Sequence, residues 1–105
     1  MKILIVCGAG ASSAFVAHRL RVTGKERGLT LAVVAGSESD LPSSLDTIDV
    51  LLVGPHLAPR FDRISAQAKE RGVGVVLLPT SVFSARDGAV ALDLAVTAEH
   101  ERSWV

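Results

Sequence analysis

The sequence predicts an α/β fold in which a four-stranded parallel sheet carries helices on both faces. Short apolar runs recur along the chain without the alternating polar residues of a strand that has one solvated face. Longer segments with helical spacing, or polar loops, separate these runs. Right-handed crossover connections then make 2-1-3-4 the economical strand order.

The apolar runs are interpreted as strands because each is short and lies between glycine or polar residues. They cover residues 3–6, 29–35, 49–54 and 74–78. A polar segment, residues 36–47, separates the second strand from the third. We expect it to be a loop with a short helical turn after Pro42.

Three helices are predicted where apolar residues recur at intervals of three and four. They cover residues 12–27, 58–71 and 89–101. Ser12 or Ser13 is expected to cap the first helix, and Gly28 and Gly72 are expected to end the first two. The predicted inward faces are Phe15, Val16, Leu20 and Thr23, then Phe61, Ile64 and Ala68, then Val90, Leu94 and Ala98.

Length and composition limit the class of protein. A chain of 105 residues with 49% hydrophobic residues predicts one compact domain. Its single cysteine excludes an internal disulfide and any zinc site built on paired cysteines, and no cluster has metal-ligand spacing. The zero formal charge gives no case for nucleic acid. No secretion signal or membrane span is expected, so the predicted location is cytoplasmic.

The charges are unevenly distributed along the chain. Residues 1–28 carry five basic side chains and one acidic one, whereas residues 29–58 carry four acidic side chains and no Lys or Arg. The basic run is interpreted first as a solvated helix end that complements the helix dipole. A docking face around the first helix is the alternative. Val82 and Phe83 are a further candidate docking patch.

The only cysteine marks the candidate site. Cys7 ends the first predicted strand, and the small-residue loop Gly8, Ala9, Gly10 and Ala11 leads to Ser12 and Ser13. Unpaired backbone N–H groups and the positive end of a helix dipole favour a thiolate and bind phosphate there. A buried, inert thiol is the alternative for the cysteine. The sequence therefore predicts a phosphoryl group on Cys7.

Three motifs resemble one known family. They are Val-Cys-Gly-Ala-Gly-Ala-Ser-Ser at 6–13, Asp-Val-Leu-Leu-Val-Gly-Pro-His at 49–56 and Arg-Asp-Gly at 86–88. In order and spacing the chain resembles the lactose/cellobiose class of enzyme IIB, a component of the bacterial sugar phosphotransferase system.

The resemblance implies a phosphoryl carrier that needs no cofactor. Cys7 would accept phosphate from a histidine of the IIA protein and pass it to a sugar bound by the membrane permease IIC. The phosphate would be cradled by the loop residues Gly8, Ala9, Gly10, Ala11, Ser12 and Ser13. Ala14 stands where relatives often have Ser or Thr, so one hydroxyl contact to the phosphate is expected to be missing. His56 stands where they often have Gln, so His56 is only a candidate contact at the margin of the site.

Two other function classes are weighed against the carrier. The loop resembles the Cys-x5-Arg phosphate loop of low-molecular-weight tyrosine phosphatases, but Ser13 occupies the arginine position. Without a guanidinium to stabilise the transferring phosphoryl group, hydrolysis should be slow. A response-regulator-like or flavodoxin-like binding module is the other alternative. A response-regulator-like module would need acidic residues at the ends of the first and third strands, where the chain has Cys7 and Gly54.

Overall fold

The computed structural model describes residues 1–6, 10–41, 43–83 and 88–102. The strands are β1 (Lys2–Val6), β2 (Ala32–Gly36), β3 (Val50–Val53) and β4 (Gly74–Leu77). The helices are α1 (Gly10–Glu26), α2 (Phe61–Glu70) and α3 (Ala89–Arg102). Short 3-10 helices occur at Glu38–Asp40, Ser43–Thr47, Pro55–Arg60 and Thr80–Phe83. None of the described helices is long and apolar enough to cross a membrane.

The four strands form one parallel sheet in the order β2-β1-β3-β4, which confirms the predicted fold class and strand order. At the carboxyl edge Val6 of β1 is in register with Gly36 of β2 and with Val53 of β3. Because the chain passes from β1 to one side of the sheet and then to the other, this edge of β1 is the topological switch point.

Each face of the sheet has its own hydrophobic core. On one face α1 and α3 pack against the strands through Val16, Leu20, Leu92 and Ala95, together with strand residues such as Ile5. On the other face α2 packs through Ile64 and Ala68. The central strands β1 and β3 contribute side chains to both cores, which explains their uninterrupted apolar sequences.

Two predicted inward residues lie outside the core. Phe15 is 49% exposed and Val90 is 45% exposed. Small residues take part in the buried faces of these two helices instead, with Ala17 of α1 and Ala91 and Ala95 of α3 each 2% exposed or less. Apolar spacing located the helices correctly but misplaced one edge of the buried faces of α1 and α3.

Several predicted boundaries shift. β2 begins at Ala32 rather than at residue 29, and the predicted helix 58–71 is a 3-10 helix, Pro55–Arg60, followed by α2. Pro59 lacks the N–H that a regular α-helix needs beyond its first turn, which is consistent with this tighter start. The expected helical turn after Pro42 is confirmed at Ser43–Thr47.

Close contacts fix α3 against its neighbours. A Cβ on Gly74 would lie 2.4 Å from the backbone oxygen of Ala98, so only glycine lets β4 and α3 approach this closely. At the other end of α3, the backbone N–H of Gly88 donates to Oγ1 of Thr23 at 2.9 Å.

Val82 is 3% exposed and belongs to the core, so the expectation that it is a docking residue is wrong.

Candidate functional site

The carboxyl edge of the sheet brings two candidate segments together. β1 ends at Val6, the residue immediately before Cys7 in the chain. The backbone N–H of Gly54 donates to the carbonyl oxygen of Val6 at 2.7 Å, so the segment after β3 lies beside the end of β1. His56 is the second residue of the 3-10 helix that follows. This edge is where an open parallel sheet binds its ligands.

The first turn of α1 lies where the sequence predicts phosphate contacts. α1 begins at Gly10, so Gly10, Ala11, Ser12 and Ser13 are its first four residues. The N–H groups of the first four residues of an α-helix have no acceptor within that helix. Together with the positive end of the dipole, they form a site that favours phosphate.

The early start of α1 changes the role predicted for the serines. Ser12 and Ser13 lie inside the first turn, so neither is the residue that precedes the helix and caps it. Small residues explain the difference, because Ala11 has the highest helix propensity and Gly10 imposes no steric barrier to starting the turn. The backbone N–H groups of both serines therefore belong to the first turn of α1, and their contact with a phosphate stays a prediction.

Several predicted site features fall outside the described part of the chain. Cys7, Gly8 and Ala9 are not among the described residues, and neither are Arg86 and Asp87 of the third motif. The structure thus places the segments on either side of the cysteine, β1 and α1, and the predicted phosphate contacts of Cys7, Gly8 and Ala9 stay predictions.

His56 lies at the edge of the candidate site. It is exposed and follows Pro55 at the start of the 3-10 helix after β3. Val53, three residues earlier, is in register with Val6, so His56 is on the same edge of the sheet as the start of α1. Its contact with a phosphate stays a prediction.

A polar cleft lies on one side of this edge, and the sequence interpretation did not include it. Its volume is about 270 Å³, and its lining includes Glu38, Arg60, Arg63 and Gln67. Nε of Arg60 lies 2.9 Å from Oε2 of Glu38, which joins the segment after β2 to the segment after β3. The sequence does carry one sign of this cleft, because the spacing of Arg60, Arg63 and Gln67 is that of residues on one helical face.

An exposed aromatic side chain lies on the other side, on α1. Cζ of Arg19 is 4.0 Å from the ring centroid of Phe15. Phe15 is the sixth residue of α1, in the turn after the one that begins the helix.

A cleft of about 240 Å³ lined by Val73, Gly74 and Ala98 lies at the opposite, amino edge of the sheet. Among the described residues no cluster of His, Cys, Asp and Glu could hold a metal ion.

Comparison with known proteins identifies the family. A family model described as "PTS system, Lactose/Cellobiose specific IIB subunit" matches residues 2–94. The chain belongs to this family. The matched range includes β1, Cys7, all of α1 and the segment after β3. The resemblance inferred from the motifs is thereby confirmed.

Relatives of this IIB domain include one curated protein and two solved structures. The lactose-specific EIICB component of Lactococcus lactis subsp. lactis is 25% identical over 93 residues, which cover 87% of this chain and 16% of that protein. The cellobiose-specific IIB component from Borrelia burgdorferi is 27% identical with a TM-score of 0.77, covering 97% of this chain and 94% of that chain.

The third relative supports the fold alone. The lactose-specific IIB component domain from Streptococcus pneumoniae has a TM-score of 0.83 at 14% identity, covering 93% of this chain and 96% of that chain. Membership of the family supports a phosphotransferase domain that carries a phosphoryl group in a sugar phosphotransferase system, and it does not favour the phosphatase alternative. The family also indicates partners among the other components of that system.

Proposed function

We propose that Cys7 is the residue that carries the phosphoryl group, accepting it from a phosphohistidine of a IIA protein and passing it to a sugar bound by a IIC permease. One observation supports this most strongly. The first four residues of α1 begin three positions after the only cysteine, at the carboxyl edge of the central strand β1. A nucleophile and an anion-binding helix start then flank the same point.

The proposed reaction has two transfers, each balanced at phosphorus. In the first, the thiolate of Cys7 attacks phosphorus, the S–P bond forms, the N–P bond breaks, and the electron pair returns to the imidazole of the donor. In the second, a sugar hydroxyl oxygen attacks phosphorus, the O–P bond forms, and the S–P bond breaks to release the thiolate. The hydroxyl proton passes to a base on the acceptor side. The N–H groups of Gly10, Ala11, Ser12 and Ser13 hold the phosphoryl oxygens throughout.

The residue types present favour a carrier over a hydrolase. At the position of a phosphatase arginine the chain has Ser13. The N–H groups and dipole at the start of α1 then stabilise bound phosphate without the added charge of a guanidinium. The phosphocysteine is then hydrolysed slowly enough to persist until the acceptor binds. We further propose that His56 contributes at most a hydrogen-bond donor at the edge of the site, a role that Gln can fill.

The proposed partners locate the protein in the cell. A IIA donor and a IIC acceptor both present their reacting groups on the cytoplasmic side of the transfer, so the proposed location is the cytoplasm. Gly8 and Ala9 are proposed to complete the loop around the phosphate because small residues allow the backbone to approach it closely.

Intact-mass spectrometry tests the assignment of Cys7. The protein is incubated with phosphoenolpyruvate, the general phosphotransferase enzymes and a lactose/cellobiose-class IIA protein. We expect the wild type to gain one phosphoryl group and Cys7→Ser to gain none, because a serine hydroxyl is far less nucleophilic than a thiolate at neutral pH. His56→Gln is the matched control and should still be loaded.

Two results would contradict the proposal. Loading of Cys7→Ser to the same extent as the wild type would place the phosphoryl group on another residue. Steady hydrolysis of a phosphotyrosine analogue by the wild type, without accumulation of a phosphoprotein, would assign the chain to the phosphatase class.

A further inference from the structure

One side of α1 exposes apolar side chains next to the candidate site. Phe15 is 49% exposed and Val22 is 45% exposed, and Arg19 lies between them with its guanidinium over the Phe15 ring. Residues 15, 19 and 22 are spaced by four and three, so they form one line along the helix. We call Phe15, Arg19 and Val22 the α1 stripe.

The α1 stripe is distinct from the buried face of the helix. Val16, Leu20 and Thr23 are the core-facing residues, with exposures of 6% or less. Phe15 and Val22 together leave apolar area on this side of α1, and a partner that covers this area gains the free energy of burying it. The hydrophobic core of the described residues offers no such cover.

The position of the α1 stripe links it to phosphoryl transfer. Phe15 lies five residues after Gly10, which is about 7.5 Å along the axis at about 1.5 Å per residue. In-line transfer requires the donor nitrogen to come within reacting distance of the cysteine sulfur. A protein that approaches Cys7 so closely also covers the second turn of α1.

The charge of α1 favours the donor as the partner. Arg19, Arg21 and Lys25 lie on the helix, against the single acidic residue Glu26. A phosphorylated donor arrives with a negatively charged phosphoryl group, which this surface attracts, and leaves without it. The sugar that accepts the group is neutral, so the acceptor gains no such attraction on arrival.

We propose that the α1 stripe is the docking surface for the phosphohistidine donor, which covers Phe15 with an apolar patch and faces Arg19 with carboxylates. This inference rests on the proposed function, because it names the surface through which the donor reaches Cys7. Of the two explanations for the basic run in the sequence, it selects the docking face.

The concentration dependence of phosphoryl loading tests the α1 stripe. The rate of loading is measured by rapid quenching and intact-mass spectrometry at increasing concentrations of the phosphorylated IIA protein that loads the wild type. Phe15→Ala should raise the half-saturating donor concentration by about tenfold, the size expected for a buried aromatic anchor, with the maximal rate unchanged. Circular dichroism confirms that the variant is folded.

Two further variants make the test specific. Val96→Ala removes an apolar side chain of similar exposure, 41%, from α3 and should behave as the wild type. Arg19→Gln should lower loading mainly at low salt and flatten the salt dependence, because it removes a charge that attracts the donor.

The outcomes separate the docking surface from the carrier function. If the wild type is loaded on Cys7 and Phe15→Ala requires no more donor than Val96→Ala, the docking proposal is wrong and the carrier function stands. If Phe15→Ala is loaded normally but transfers to the permease-bound sugar slowly, the α1 stripe docks the acceptor and the proposal is again wrong. If no IIA protein loads the wild type, both proposals fail.

Discussion

Thr23 shows how one hydroxyl connects two elements of the fold. Its side chain is 6% exposed, and its Oγ1 accepts the hydrogen bond from the backbone N–H of Gly88, one residue before α3. A Cβ on Gly88 would lie 2.7 Å from the backbone oxygen of Arg19, so α1 and the start of α3 are in direct contact there. The hydroxyl satisfies a backbone donor that the packing hides from water.

Thr23→Val should destabilise the protein by about 1–3 kcal/mol, since the shape is kept and a buried N–H loses its acceptor. Urea denaturation followed by circular dichroism measures the change. Thr23→Ser is the control, because it keeps the hydroxyl while losing a methyl group. If Thr23→Val is as stable as Thr23→Ser, the hydrogen bond to Gly88 does not hold α3 in place.

At the scale of elements, the exposed edge of β2 is protected by α1. The N–H of Ala32 donates to the carbonyl oxygen of Met1, so the backbone groups of the next residue, Val33, point away from β1 toward the open edge. The guanidinium of Arg21 donates to that carbonyl oxygen of Val33. Val34 beside it is 56% exposed, which makes the edge attractive to another strand unless it is blocked.

Arg21→Ala should increase self-association at high concentration and lower stability by about 0.5–1.5 kcal/mol, the usual value of one hydrogen bond. Sedimentation velocity over a range of concentrations measures the first effect. Lys25→Ala removes the same charge from the same helix and should stay monomeric to the same degree as the wild type. Equal self-association of the Arg21→Ala and Lys25→Ala variants would show that self-association depends on net charge and not on protection of the β2 edge.

The elements also show what sequence patterns can and cannot predict. The unbroken apolar runs of β1 and β3 identified the two strands that are covered on both faces. The inward face of α1 was predicted only in part, because apolar spacing favoured Phe15, whereas Phe15 is half exposed and the small residue Ala17 is buried. Small residues that allow close packing have no hydrophobic signal of their own.

At the scale of the whole molecule, one sheet supports two cores. β1 and β3 lie at the centre of the strand order and contribute to both, whereas α2 contacts one face and the α1–α3 pair contacts the other. Neither face can lose its cover without exposing the same strands. Unfolding should therefore be cooperative.

Hydrogen exchange measured residue by residue by NMR tests this cooperativity. Amides of β1 and β3 should exchange slowest and with one common free energy of opening, because both cores must open to expose them. The carbonyl of Val6 accepts from Gly54 and that of Val53 accepts from Leu78, so the amides of Gly54 and Leu78 belong to the same group. A separate, lower opening free energy for amides bonded to β3 would show that the α2 face opens alone.

The candidate site was predictable from sequence in its position and less so in its details. A cysteine at the end of an apolar run, followed by small residues, placed the site at the carboxyl edge of β1. The exact start of α1 at Gly10 was not predicted, because serines are stronger capping signals than a glycine–alanine pair. The cleft beside Arg60 depends on segments distant in sequence, Glu38 and α2, which no local pattern connects.

The central claim is that Cys7 carries the phosphoryl group, and the most direct test is to locate that group on the loaded protein. Trypsin releases residues 3–19 as one peptide, which contains Cys7, Ser12, Ser13 and His18 together. Fragmentation by electron transfer, under conditions that preserve the phosphoryl bond, distinguishes these positions. We predict that the phosphoryl group is found on Cys7; its presence on His18 or either serine, or on a peptide containing His56, would contradict the account.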